Sequence, residues 1–311
     1  MATDQTMSYA VVVGAVNVDI GGISYDTLVM NDSNPGTMVM SFGGVGRNIA
    51  HNMALMDIPV KMITVLGDDI FANQLVELSD SLGIDMTYSP KIKNEATSTY
   101  LYISTTEGEM ALAINAMDIY KHLTVDFLKE RLEIINNAEI CVIDCNIPKD
   151  SIEYLVNNVT IPILIDPVST IKAEKIKDCL DKITILKPNK LEAELLTGIK
   201  ITDKESLQKA ANYLLDKGIQ QVFISLGDKG IYGATKEENY YQDVLSHEVI
   251  NTTGCGDALS AALAFSHLHH YSITESVRCG LAASYLASQS HSTINPDMNT
   301  KTMLNIIGKE N

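Results

Sequence analysis

The sequence predicts an α/β fold, with a mostly parallel central sheet covered by helices on both faces. Three observations carry this. Short runs rich in Val and Ile recur along the chain, as in strands buried on both sides. Each is followed, directly or after a loop, by a segment with helical spacing, the mark of successive βαβ units. The 311 residues are 46% hydrophobic and 20% charged, an ordinary globular balance with ample material for a core.

In chain order, the expected strands are Tyr9–Gly14, Val60–Gly67, Ile140–Asp144, Ile161–Asp166, Ile183–Pro188 and Gln221–Gly227. Each is a compact apolar run. Examples of the expected helices are Gly46–Met56, Phe71–Leu82, Ser151–Asn157, Leu191–Leu196, Ser206–Leu215 and Ala258–His267. Two regions break the rhythm. Asp19–Met40 has glycines and no sustained helical period. Thr97–Asn115 reads as two strands around Thr106-Glu107-Gly108, an antiparallel hairpin with one wet face. Both fit a small β-sheet outside the main one, a lid made by insertions at about 17–41 and 95–117 within a single domain spanning 1–311; a plain surface hairpin is the other reading.

The net charge of −16 argues against a nucleic-acid polymer as partner, which needs a basic footprint. A nucleotide substrate is not excluded, because a few N–H groups and a metal can hold it. Five cysteines without CxxC spacing fit a reducing compartment, and Cys141 and Cys145, in an apolar run, read as core thiols. No run approaches the ~18 apolar residues of a membrane span, and the N-terminus has no leader pattern. The expectation is a soluble, cytoplasmic protein.

The P-loop and dinucleotide glycine patterns are absent. Instead Asn251-Thr252-Thr253-Gly254-Cys255-Gly256-Asp257 precedes an apolar helix. Gly254 and Gly256 let successive N–H groups converge, and the helix start adds its positive end, which makes an anion hole. A carboxylate beside phosphate is repelled unless it moves a proton, so Asp257 is a candidate general base. The bland alternative is a capped helix after a tight turn.

This segment is similar to the C-terminal signature of the ribokinase-like (PfkB) carbohydrate kinases. Four upstream segments resemble that family in its own order: Gly14–Asp19, Phe42–Ala50, Lys187–Gly198 and Ser225–Gly230. The resemblance implies the ribokinase-like three-layer α/β/α sandwich with a β lid, and phosphorylation of a sugar or nucleoside hydroxyl by ATP with Mg²⁺. By that resemblance Asn17, Asp19, Gly43, Gly44 and Asn48 contact substrate hydroxyls. Asn189 and Glu192 hold Mg²⁺ through water, and capping of a helix is the compatible second role for this pair. Ser225, Gly227, Gly230, Thr253, Gly254 and Gly256 face ATP, and Asp257 is the base. Relatives activated by a monovalent cation carry Asp ahead of the two threonines; Asn251 stands there, without the charge.

Arg47-Asn48, the stretch Gly108–Asn115 with Met117, Asp166–Ser169 and Asn295-Pro296-Asp297 look like the pseudouridine-kinase branch, although that branch usually has Asp at the position of Ala116. The implied reaction gives pseudouridine 5′-phosphate, with Asn115 reading base or ribose, or pointing outward. The alternatives are a kinase of the same family for ribose, adenosine or inosine, and a regulatory protein that binds ATP or sugar without catalysis. Exposed lid strands suggest a homodimer.

Overall fold

The computed structural model describes residues 8–107, 109–245 and 248–308. Gly108, the last residue of the expected hairpin turn, and His247 lie outside the described residues.

The first part of the chain runs β1 Ala10–Val13, β2 Asn17–Ser24, β3 Gly36–Gly43, α1 Val45–Leu55, β4 Val60–Ile63, β5 Leu66–Gly67, α2 Ile70–Ser81, β6 Ile84–Asp85, β7 Lys91–Ile92, β8 Thr99–Ser104 and β9 Met110–Ala116. The middle runs α3 Val125–Lys129, α4 Leu132–Asn136, β10 Ile140–Asp144, α5 Lys149–Asn158, β11 Ile163–Asp166, α6 Thr170–Ala173, β12 Ile185–Leu186 and α7 Lys190–Thr197. The rest is α8 Lys204–Asp216, β13 Gln221–Ser225, β14 Ile231–Ala234, β15 Asn239–Gln242, α9 Cys255–Leu268, α10 Ile273–Ser288 and α11 Thr300–Ile306.

The large sheet has the order β15-β14-β13-β12-β11-β10-β1-β4-β6. It is parallel from β6 to β13, and only β14 and β15 join antiparallel at one edge. Alternate strand residues feed two apolar cores, one on each face: Val12, Val142 and Leu164 on one side, Val11, Cys141 and Ile165 on the other. Cys141 and Cys145 are fully buried thiols within the second core. The α9 helix is buried from Ala258 to Ser266. Ala258, Ala261, Ala262 and Ala264 give it little bulk, and it packs against α1 and α10, as a helix apolar on most sides must.

Two expectations are corrected, and one helix was not named in advance. Val60–Gly67 is not one strand. After Ile63 the Thr64 N–H donates to Ser89 Oγ at 3.0 Å, and that hydroxyl donates to Met62 O at 2.7 Å. The side chain replaces the next ladder bond, and the chain leaves the sheet to form β5, which pairs with β7. The α10 helix was not foreseen. Its signal is the capping box Ser272-Ile273-Thr274-Glu275, with both reciprocal bonds formed. Finally, the hairpin does not have one dry and one wet face, because β9 is mostly exposed along its length.

That hairpin belongs to a separate four-stranded sheet of order β3-β2-β8-β9. Lateral neighbours in a sheet share a face, and the register puts Asp19, Ser41, Tyr100 and Asn115 in one row. The next row holds Ile20, Met40, Leu101 and Ile114 on the opposite face. Met38 and Met40 are 76% and 51% exposed, and Ile114 is 58% exposed.

Candidate active site

The carboxyl ends of the parallel strands converge, as they do where open α/β sheets bind ligands. The β10 strand ends on Asp144 and β11 on Asp166, in register with each other. Lys187 and Asn189 follow β12, and Asn189 bridges to Ser225 at the end of β13.

The α9 helix enters this mouth. Gly254 is its N-cap at φ +86°, with no side-chain cap bond. A Cβ there would stand 2.2 Å from Thr293 O, so only glycine fits. The N–H groups of Gly256 and Asp257, in the first turn, have no intrahelical acceptor and point to the helix start. Anions suit such an end.

Asp257 stands in that first turn. Its Oδ2 accepts from Asn48 Nδ2 at 2.8 Å, which joins α1 to α9. Burial and the charge of Asp166 raise its pKa to about 7, against the lowering effects of Asn48 and Lys187. A carboxyl poised there can exchange protons near neutrality.

Lys187 is the residue that motif reading passed over. It is 6% exposed. Its Nζ lies 2.8 Å from Asp166 Oδ2 and 3.4 Å from Gly256 O. Burial opposes its charge, but Asp166 overrides this and holds the ammonium above its ordinary pKa. Ser260, one turn beyond Asp257, donates to the same Asp166 oxygen at 2.8 Å. The advance signal for Lys187 was its place at the head of the Lys187–Gly198 segment.

On the small-sheet side, Asn17 Nδ2 donates to Asp19 Oδ1 at 2.6 Å, and Ser98 Oγ donates to Asn17 Oδ1 at 2.6 Å. Burial raises the Asp19 carboxyl, against Asn17 and the more distant charge of Arg47. The Asp19 carboxylate lies over Gly43, where a Cβ would come within 2.2 Å of Oδ2. Gly44 caps α1 at φ +93°. Asn115 shares the row of Asp19, two strands away.

A cavity of about 660 Å³ opens beside α9, lined by Ser225, Gly227, Gly230, Thr252, Cys255 and Gly256 among others. Its size suits a nucleotide. Thr253, Gly254 and Asn189 do not line it. Thr253 is exposed and donates its N–H to Asn251 Oδ1 at 3.0 Å. Asn189 and Glu192 form a complete capping box: Glu192 accepts from Asn189 N at 2.8 Å and Nδ2 at 2.7 Å, and Asn189 Oδ1 accepts from Glu192 N at 3.0 Å. Each Glu192 oxygen keeps one lone pair. This donor set fits the waters of a hydrated Mg²⁺ better than direct ligation. Among the described residues no group of three or more His, Cys, Asp or Glu could hold a metal, and no helix is long and apolar enough to cross a membrane.

Comparison with known proteins gives these likenesses. The model of the pfkB family carbohydrate kinases matches residues 7–301. The pseudouridine kinase of Escherichia coli (strain K12) is 34% identical over 301 residues, covering 96% of each chain. A carbohydrate kinase from Agrobacterium tumefaciens superposes with a TM-score of 0.86 at 26% identity, covering 97% of both chains. Arabidopsis thaliana ribokinase, solved with ribose and ATP, gives 0.85 at 24% identity, covering 98% of this chain and 100% of the other.

Proposed function

The chain belongs to the pfkB family of carbohydrate kinases and is a phosphotransferase with an alcohol acceptor; from that premise we propose that it transfers the γ-phosphoryl group of ATP to the 5′-hydroxyl of pseudouridine. The observation that carries the substrate is the likeness to a pseudouridine kinase along almost the whole of both chains.

The residues divide the work. Asp19, steadied by Asn17, offers carboxylate oxygens to a ribose diol. Asn115 faces the same side and offers an amide to the base. Asp257 takes the proton of the attacking hydroxyl, while Asn48 fixes where its carboxylate points. The free N–H groups of α9 and the Lys187 ammonium face the charge that shifts to the phosphoryl oxygens. Mg²⁺, held through water at Asn189 and Glu192, would supply further positive charge to the polyphosphate. Ser225, Gly227 and Gly230 line the space for ATP. The small sheet serves as a lid on a single α/β domain and limits water at the transfer step. Cysteines that form no disulfide among the described residues suit a cytoplasmic setting.

ADP release should be measured with pseudouridine, uridine, ribose, adenosine and inosine as acceptors. Pseudouridine is expected to lead by about tenfold or more in kcat/KM, the discrimination that polar contacts to one acceptor can provide. Ribose turnover without pseudouridine turnover would overturn the substrate. A protein that binds ATP but turns over no acceptor would point to a regulatory binder instead.

The outer lid face also supports a homodimer. Met38, Met40, Leu101, Leu112 and Ile114 are exposed together, and an isologous pairing would bury each patch against its copy. Wild-type protein is expected to sediment as a dimer, and Met40→Glu with Ile114→Glu as a monomer. A monomeric wild type at tens of micromolar (about ten times a typical micromolar Kd) would remove this pairing.

A further inference from the structure

Arg47 holds a buried charge that no carboxylate among the described residues pairs with directly. The residue is 7% exposed, and among the described residues its side-chain bonds go to neutral oxygens: Nη1 donates to Phe42 O at 3.0 Å and to Asn48 Oδ1 at 3.2 Å. Burial lowers its pKa to about 10, and Asp19 opposes this from a distance. Unpaired buried charge is costly, so a fold that keeps it gains something specific from it.

The bond geometry shows what is gained. A guanidinium has donors only. It can therefore hold the Asn48 amide only by its oxygen, which turns Nδ2 toward Asp257. The opposite amide orientation would set donor against donor at Arg47 and oxygen against carboxylate at Asp257. The second bond reaches Phe42, next to last in β3 of the lid sheet. One nitrogen thus ties the lid strand to the amide that holds the base.

We infer that Arg47 is a positioning residue that couples the placement of lid strand β3 to the catalytic base through the Asn48 amide. This rests on the phosphoryl-transfer reading above. The charged groups around Asp257 are Asp166 on β11, Lys187 after β12 and Asp144 on β10. Around Arg47 they are Asp19 on β2 and His51 one turn further along α1. Burial first, and then the charge of Arg47, lower the pKa of His51 to about 4. It therefore stays neutral over the working range and does not mimic the effect.

The test is a double-mutant cycle read on kcat and on the pH profile of kcat/KM for the acceptor that the wild type uses. Arg47→Met is expected to lower kcat about tenfold, within the range of coupled neighbours, and to move the acidic limb upward, because the amide no longer has to donate to Asp257. Arg47→Lys should recover part of both, since an ammonium can still hold the amide oxygen. In an Asn48→Ala background Arg47→Met should change neither further. Additive losses with an unmoved limb would reduce Arg47 to a packing role, and a change in KM alone would make it a substrate contact; either overturns the inference. Should Arg47→Met fail to fold, Arg47→Lys with and without Asn48→Ala decides it. A wild type that phosphorylates no acceptor sinks the parent reading, a result distinct from an active wild type indifferent to Arg47.

Discussion

Asp257→Asn is expected to lower kcat on the order of 10²-fold or more, as loss of a general base does, and to make the protein more stable above neutral pH. Both effects come from the same burial. The carboxyl must be ionised to take a proton, and its pKa is raised to about 7, so wild-type kcat/KM should climb with pH through about 7. Asn keeps an oxygen to accept from Asn48 but cannot become a base.

The sign for stability runs the other way. A carboxyl with a folded pKa above its unfolded value stabilises the fold fully below the unfolded pKa, and that contribution is lost as pH rises through the folded one. Between the ordinary 3.8 and about 7 the loss accumulates to on the order of 4 kcal/mol. Asn escapes it. Thermal unfolding should show the variant ahead of wild type at pH 8, with the gap narrowing toward pH 5. A variant with unchanged turnover would end the assignment of Asp257 as base, and an unchanged gap would end the account of its pKa.

Much of this site could be read before any fold was known, because its chemistry is local. Gly254, Gly256 and Asp257 are three neighbours on one helix start, and Asn189 with Glu192 is a spacing that declares itself a capping box. What could not be read is long-range. Asp166, Lys187 and Ser260 meet because parallel register aligns β10, β11 and β12 and because α9 drops its first two turns into their ends. No local pattern encodes that meeting. The small sheet itself was legible, but the reading of its hairpin as dry on one face failed for another reason. Alternation predicts a dry face only when something covers it, and here the apolar row of Met40, Leu101 and Ile114 is the outer one. Asn115 came into the row of Asp19 through Tyr100, two strand pairings across the sheet.

Lys187→Met is expected to cost both stability and catalysis, and a second substitution should separate the two. Lys187 and Asp166 are 6% and 2% exposed. Removing one partner of a buried pair leaves the other charge uncompensated, at about 3–5 kcal/mol. Ser260 still donates to Asp166, but a hydroxyl does not neutralise a carboxylate. Lys187 also pulls the Asp257 carboxyl down, so its loss should move the acidic limb of kcat/KM to higher pH. If its ammonium also meets the transferring charge, kcat should fall by about 10²–10³, the cost of removing one preorganised electrostatic partner. Adding Asp166→Asn to Lys187→Met removes the orphaned charge, and most of the lost stability should return in denaturant titrations. Turnover should not return with it, because the amide supplies no positive charge at the mouth of α9. A double variant that regained wild-type kcat along with its stability would show that Lys187 serves the fold alone, and the electrostatic work would then fall to the N–H groups of Gly256 and Asp257.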